Sequence, residues 1–278
     1  MEISYEEFTQ YCPAGEVPDT VIFESLSAHI QEWQDMARRL ATPAIYDRLD
    51  SLDSEPITED YDRLTALRRY LAGMVCCLAF EDALPQLDLV LTSTGFGVVS
   101  NQNLAPASAE RVKALRTRLH NQGWAYFEEA LDQLRYLGAP LASDLCASAF
   151  RSLFWRAAHL HVFGIQNPTH DNLLEKNPEI LEEQPFLIRF LSQEQFDAFL
   201  KSEATATTTP IQGMAIQMCR VYFATEGKLA KDAQKLSILN FMEQHPEEFK
   251  EYMDSSTYKA NHFQRYENKK DDPCFFFG

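Results

Sequence analysis

Residues 86–111 read Gln-Leu-Asp-Leu-Val-Leu-Thr-Ser-Thr-Gly-Phe-Gly-Val-Val-Ser-Asn-Gln-Asn-Leu-Ala-Pro-Ala-Ser-Ala-Glu-Arg, and here the periodicity of the chain changes. Leu87, Leu89 and Leu91 alternate with Asp88, Val90 and Thr92, the spacing of a strand with one buried face. Ser93-Thr94-Gly95-Phe96 supplies a turn and Gly97-Val98-Val99-Ser100 a second short strand. The pattern predicts a β-hairpin over about residues 87–100, with Phe96 pushed outward at its tip. A two-stranded ribbon is marginal in water, so it must lean on its own helices or on another chain. The fold class expected is therefore mainly α: a helical bundle with a central β-hairpin and an extended C-terminal tail.

On either side the spacing is helical. Phe23, Leu26, Ile30, Trp33, Ala37 and Leu40 recur at three and four residues and stop before Pro43. Leu64, Leu67, Leu71, Met74, Val75 and Leu78 mark a second helix, from about Thr58 to Leu84, ended by Pro85. After the hairpin, Ser108 caps a long helix carrying Val112, Leu115, Leu119, Phe127, Leu131 and Leu134, with a slip in the stripe at Gly123 that suggests a bend or a repacking there. Gly138 and Pro140 end it. A fourth helix is expected over 141–163. Residues 165–178 are the candidate boundary between an N-terminal helical bundle (1–165) and a C-terminal helical region (166–278) with its tail at 258–278, although the two can also pack as one domain. In the second half Ser192 and Gln195 have capping-box spacing, and Thr209 and Pro210 suit the N-cap and N1 positions of the next helix.

Composition fits a folded, helix-rich protein: 278 residues, 45% apolar, 19 Phe and 11 Tyr against only 10 Gly. Net charge is −16, and residues 1–62 hold 15 Asp and Glu against three Arg. That balance argues against wrapping DNA, which needs clustered cations, and is compatible with solubility or a basic partner. The longest apolar run, Leu71 to Phe80, is about half a bilayer span. The start, Met-Glu-Ile-Ser-Tyr-Glu-Glu, has no apolar signal core. A soluble intracellular protein without membrane contact is expected, its six scattered cysteines reduced.

No motif carries chemistry, so no catalytic, cofactor or metal residue is assigned. His159 and His161, near His170 and Asp171, are two apart and diverge on a helix, which disfavours a shared metal. Glu81-Asp82 and Glu128-Glu129 are adjacent acids that diverge in the same way and read as solvated. Cys76-Cys77 lies in an apolar run with nothing to activate a thiol. Gly95-Phe96-Gly97 lacks the Lys-Ser/Thr ending of a phosphate loop. What stands out instead is surface: Phe96, the neighbouring Asn101, the basic run Arg111, Lys113, Arg116, Arg118 and His120, and the terminal Phe275-Phe276-Phe277, an apolar liability if exposed.

The stretch Leu87–Val112, together with Tyr266-Glu-Asn-Lys-Lys-Asp-Asp and the closing Phe-Phe-Phe-Gly, resembles an uncharacterised family encoded in phages and prophages of Bacteroidetes. The resemblance implies a virion neck component like helical head–tail connector or head-completion proteins, which assemble as rings below the portal with DNA passing through unread. It implies no enzyme activity and no cofactor. The partners it implies are other copies of the chain in a ring (a monomer when isolated) and portal or other neck proteins. The place it implies is the bacterial cytoplasm during assembly and then the virion neck. Phe96, Asn101, Arg111, Arg116, Phe275, Phe276 and Phe277 are the expected interface residues. Two rivals stand beside this: an intracellular acidic adaptor binding a basic protein, and a helical hydrolase using the 159–171 segment.

Overall fold

The structure is a computed structural model, and it describes residues 1–12, 20–52, 59–87, 89–92, 95–98 and 108–262. The element that organises it is helix α5, Glu59–Leu87, reached through α1 (Tyr5–Tyr11), α2 (Thr20–Ser25), α3 (Ser27–Ala41) and α4 (Pro43–Asp50). Every residue from Leu71 to Glu81 is buried. A helix apolar on all sides has to be surrounded, and α1, α3, α4 and the long α6 (Ala109–Tyr136) all pack on it. The six residues of its stripe are fully buried, and Leu26, Ala37 and Leu40 of the preceding stripe lie beneath them.

The helices α5 and α6 approach closely because each offers a glycine to the other. A methyl at Gly73 would stand 2.6 Å from the Tyr126 ring, and one at Gly123 would stand 2.6 Å from Cγ of Leu78. Gly123, where the slip in the stripe suggests a bend or a repacking, makes room for the Leu78 side chain.

The expected fold class needs correction. The class is all-helical, and a hairpin over 87–100 is not a central element of it. Among the described residues, strand pairing is confined to β1 (Leu89–Thr92) and β2 (Gly95–Val98), which pair only with each other, four residues to a side. So short a ribbon forms no layer of its own. Leu87, read as the first strand residue, closes α5, which runs on past Pro85. Pro85 forfeits the bond from its own nitrogen to the carbonyl four residues back, and the helix ends two residues later. Phe96 pairs with Leu91 inside β2, so it is not at a turn tip. The extended tail lies outside the described residues from 263 onward.

The helix expected over 141–163 is also absent. In its place are a 3-10 turn (Ala139–Leu141), α7 (Asp144–Ser148) and a 3-10 helix (Ala157–Phe163). The Ser152 hydroxyl accepts from Phe154 N at 3.1 Å and donates to Phe154 O, a local turn that competes with the helix.

The chain divides into two compact units, Met1–Pro178 with Lys201–Thr208, and Glu179–Leu200 with Thr209–Gly278. Segment 201–208 belongs to the first because Glu203 accepts from Arg135 Nη1 through its carbonyl and from Trp155 Nε1 through its carboxylate. The start of α8 (His170–Leu191) lies in the first unit and its remainder in the second, followed by α9 (Gln193–Ala204), α10 (Pro210–Ala224), α11 (Lys228–Glu243), α12 (Lys250–Asp254) and α13 (Ser256–Asn261). Thr209 and Pro210 sit at the N-cap and N1 of α10, with Gln212 completing the capping box. Ser192 caps Gln195 N, but the Gln195 side chain accepts from Tyr252 N instead of returning to Ser192.

Candidate functional site

The expected interface residues fare differently. Asn101, Phe275, Phe276 and Phe277 lie outside the described residues, and Phe96 is in β2. Arg111 and Arg116 lie in the first turns of α6, where of Ala109–Arg118 only Leu115 is even partly covered. The cations do not form one face. Arg111 and Arg118, seven apart, share one side of the helix, and Lys113 and Arg116 the other. His120, read as part of the basic run, turns inward and belongs to a different structure.

That structure is a row along α6 at four-residue spacing: Arg116, His120, Trp124 and Glu128. His120 lies between two carboxylates. Its Nδ1 is 3.0 Å from Glu81 Oε2, and its Nε2 is 2.9 Å from Asp171 Oδ1 at the start of α8. Both nitrogens must donate, so the ring is an imidazolium. Burial opposes its charge, but the hydrogen bonds to Asp171 and Glu81 and their negative charges outweigh that, and its pKa stands above the ordinary histidine value. Glu81 is buried and takes a second cation, Arg116, at 3.4 Å.

One turn on, Trp124 stacks flat on His170, with ring centroids 4.4 Å apart and planes 2° from parallel. Its other ring neighbours are His120, Phe127 and Trp33, met edge to face. Trp33 donates to Asp82 at 2.7 Å, which fixes α3 against α5. Glu128, also buried, receives Ala157 N on both oxygens at 3.0 and 3.1 Å and His170 Nδ1 at 3.0 Å. It thereby caps the 3-10 helix from outside and holds the first turn of α8. Beside it is a cavity of about 440 Å³ lined by Asn121, Glu129, Arg156, His161, Asn167 and His170, among others. Arg156 is spoken for by ion pairs to Glu129 and Asp132, and His161 Nδ1 faces Ile165 O at 2.9 Å.

The chemistry available is that of cross-linking helices: two buried carboxylates, each shared between elements distant in sequence. Among the described residues no three His, Cys, Asp or Glu side chains are grouped to hold a metal ion. Cys12, Cys76, Cys77, Cys146 and Cys219 are buried thiols. Burial pushes the Cys146 and Cys219 pKa values up to about 12, and that of Cys12 is raised first by its hydrogen bond with Cys77 and then by burial. Among the described residues no helix is long and apolar enough to cross a membrane.

Reading the sequence missed this seam. Glu81 and Glu128, expected to be solvated, are two of the three buried carboxylates among the described residues. The signal that could have found them is the four-residue row of polar and aromatic residues running beside the apolar stripe of α6.

The family described as "Family of unknown function (DUF6712)" matches residues 31–139, less than half of the chain. The matched stretch runs from within α3 through α6. It contains Glu81, Arg116, His120, Trp124 and Glu128 and ends before His170 and Asp171. No curated protein and no solved structure matches the chain.

Proposed function

We propose that this chain is a non-enzymatic structural component of a phage-like virion neck, a head–tail connector or head-completion protein that works as an assembly of like copies. The resemblance of Leu87–Val112 and of the terminal segment to proteins of Bacteroidetes phages gives the setting. The observation that carries an assembly role is apolar surface in the second unit. Leu229 is 86% exposed, and Leu236, Phe186 and Met214 are each more than half exposed. Leu229, Ala233 and Leu236 are spaced along one side of α11, all in contact with water. Isolated exposed leucines are ordinary, but a helix side built this way is what a partner covers. The buried polar groups of the first unit support the same reading, because they are used to fix helices to one another.

In this reading the protein matures in the bacterial cytoplasm, joins portal or other neck proteins, and lets DNA pass without reading it. The Phe275-Phe276-Phe277 run supplies a further contact. Mass photometry of the full chain, alone and mixed with a portal protein from the same genome, is the test. Multiples of the 31.9 kDa chain mass, or a portal-bound species, are expected, and both should weaken when residues 272–278 are deleted. Single-chain mass in both samples, unchanged by the deletion, would overturn the proposal.

A further inference from the structure

The first turns of α6 pose a separate question. Arg111, Lys113, Arg116 and Arg118 lie within eight residues of a chain whose net charge is −16, and all four are exposed. The helix here is uncovered on nearly every side, so cations on both of its sides reach solvent. Val112 is exposed and Leu115 is partly covered, which gives the segment an apolar component as well. Of the four, Arg116 has an internal partner, Glu81. Arg111, Lys113 and Arg118 leave three charges available for a partner.

The partner must be acidic, and two classes qualify: nucleic acid and an acidic protein surface. Nucleic acid is disfavoured. Three or four cations neutralise few phosphates, and the remainder of the chain repels them. An acidic protein surface is available on the chain itself. Residues 1–62 balance at −12. Within them Glu32, Asp35 and Asp62 are exposed on α3 and the start of α5, while Asp47 and Asp60, also exposed, already face Arg38 and Arg48 at 3.3 and 3.7 Å.

We infer that the basic first turns of α6 dock on the acidic α3–α4–α5 surface of a second copy of this chain. The two surfaces differ, so the contact is heterologous. Repeated head to tail, it closes into a ring or extends as a filament. The inference rests on the assembly reading above and names the contact that reading needs.

The test compares the full-length chain with Arg111→Glu/Lys113→Glu/Arg118→Glu, leaving Arg116 on Glu81, by sedimentation velocity at low and high salt. Wild type self-associates at low salt, more weakly at high salt, and the variant loses about tenfold or more in association constant while its helical circular dichroism is unchanged. Mixing the variant with Glu32→Lys/Asp35→Lys/Asp47→Lys restores a complex, since the reversed charges again match. Equal self-association of variant and wild type overturns the α6 contact and leaves the assembly reading intact. A wild-type monomer at every concentration and salt overturns both. Retention of a duplex DNA fragment by wild type that the variant loses, without self-association, assigns the charges to nucleic acid and overturns the proposal.

Discussion

Substituting Gly123 by alanine tests the close approach of α5 and α6 more sharply than deleting a core side chain. The added methyl would lie 2.6 Å from both Cγ and Cδ2 of Leu78 and 3.3 Å from Cβ of Cys77. Ordinary carbon contacts are about 3.5–4.0 Å, so Leu78 must retreat by about 1 Å. It is 1% exposed, in the middle of the stretch of α5 that is buried on every side, and has nowhere to go. Against this, alanine gains about 1 kcal/mol over glycine in a helix interior. Overpacking costs about 1–3 kcal/mol, so the net expected loss is about 0–2 kcal/mol. Leu78→Ala alone should cost about 2–5 kcal/mol. In the double variant the alanine methyl fills part of the space vacated by Leu78, so the loss should fall short of the sum by about 0.5–3 kcal/mol. Urea unfolding followed by tryptophan fluorescence suits the measurement, because Trp33, Trp124 and Trp155 all lie in the first unit. Stabilisation by Gly123→Ala, or strict additivity in the double variant, would refute the packing argument.

Other outcomes follow from the polar seam. His120 has a raised folded pKa, so its contribution is full below its unfolded value of about 6.5 and disappears as pH rises through the higher folded value. The melting-temperature gap between wild type and His120→Gln should therefore be widest near about pH 6 and shrink toward alkaline pH; a gap that is flat or grows with pH would contradict the imidazolium assignment. Glu128→Ala strips the acceptor from Ala157 N and His170 and should cost about 2–4 kcal/mol in urea unfolding, with Glu128→Gln costing less because one oxygen acceptor survives. Equal losses from the two variants would show that burial rather than acceptor chemistry matters there.

How legible these features were depended on what each residue's partners were. The α5 stripe could be read because Leu64 through Leu78 repeat at helical spacing, and burial follows from that spacing alone. The strand reading fails at its start for a local reason: Leu87, the first of three alternating leucines, finishes a helix. The break at 149–156 depends on Ser152 bonding the backbone of Phe154, two residues on, which apolar spacing does not encode. The seam was hidden for a different reason. His120 meets Glu81 and Asp171, 39 and 51 positions away, and Glu128 meets His170, 42 away. A single carboxylate in a sequence carries no mark of such a partner, so exposure was the natural expectation. The basic turns of α6 were legible as composition, but their lack of cover is a property of the fold.

In the assembly proposed above, copies of this chain meet through α6. A carbodiimide joins amines to carboxylates they already touch, and Lys113 is the amine in the exposed turns. Cross-linking an equal mixture of nitrogen-14 and nitrogen-15 chains, followed by peptide mass spectrometry, reads that contact directly. The account predicts mixed-isotope links from Lys113 of one copy to Asp or Glu within residues 1–62 of another. Links from Lys113 that are confined to one isotope, or absent while other inter-copy links form, would contradict it.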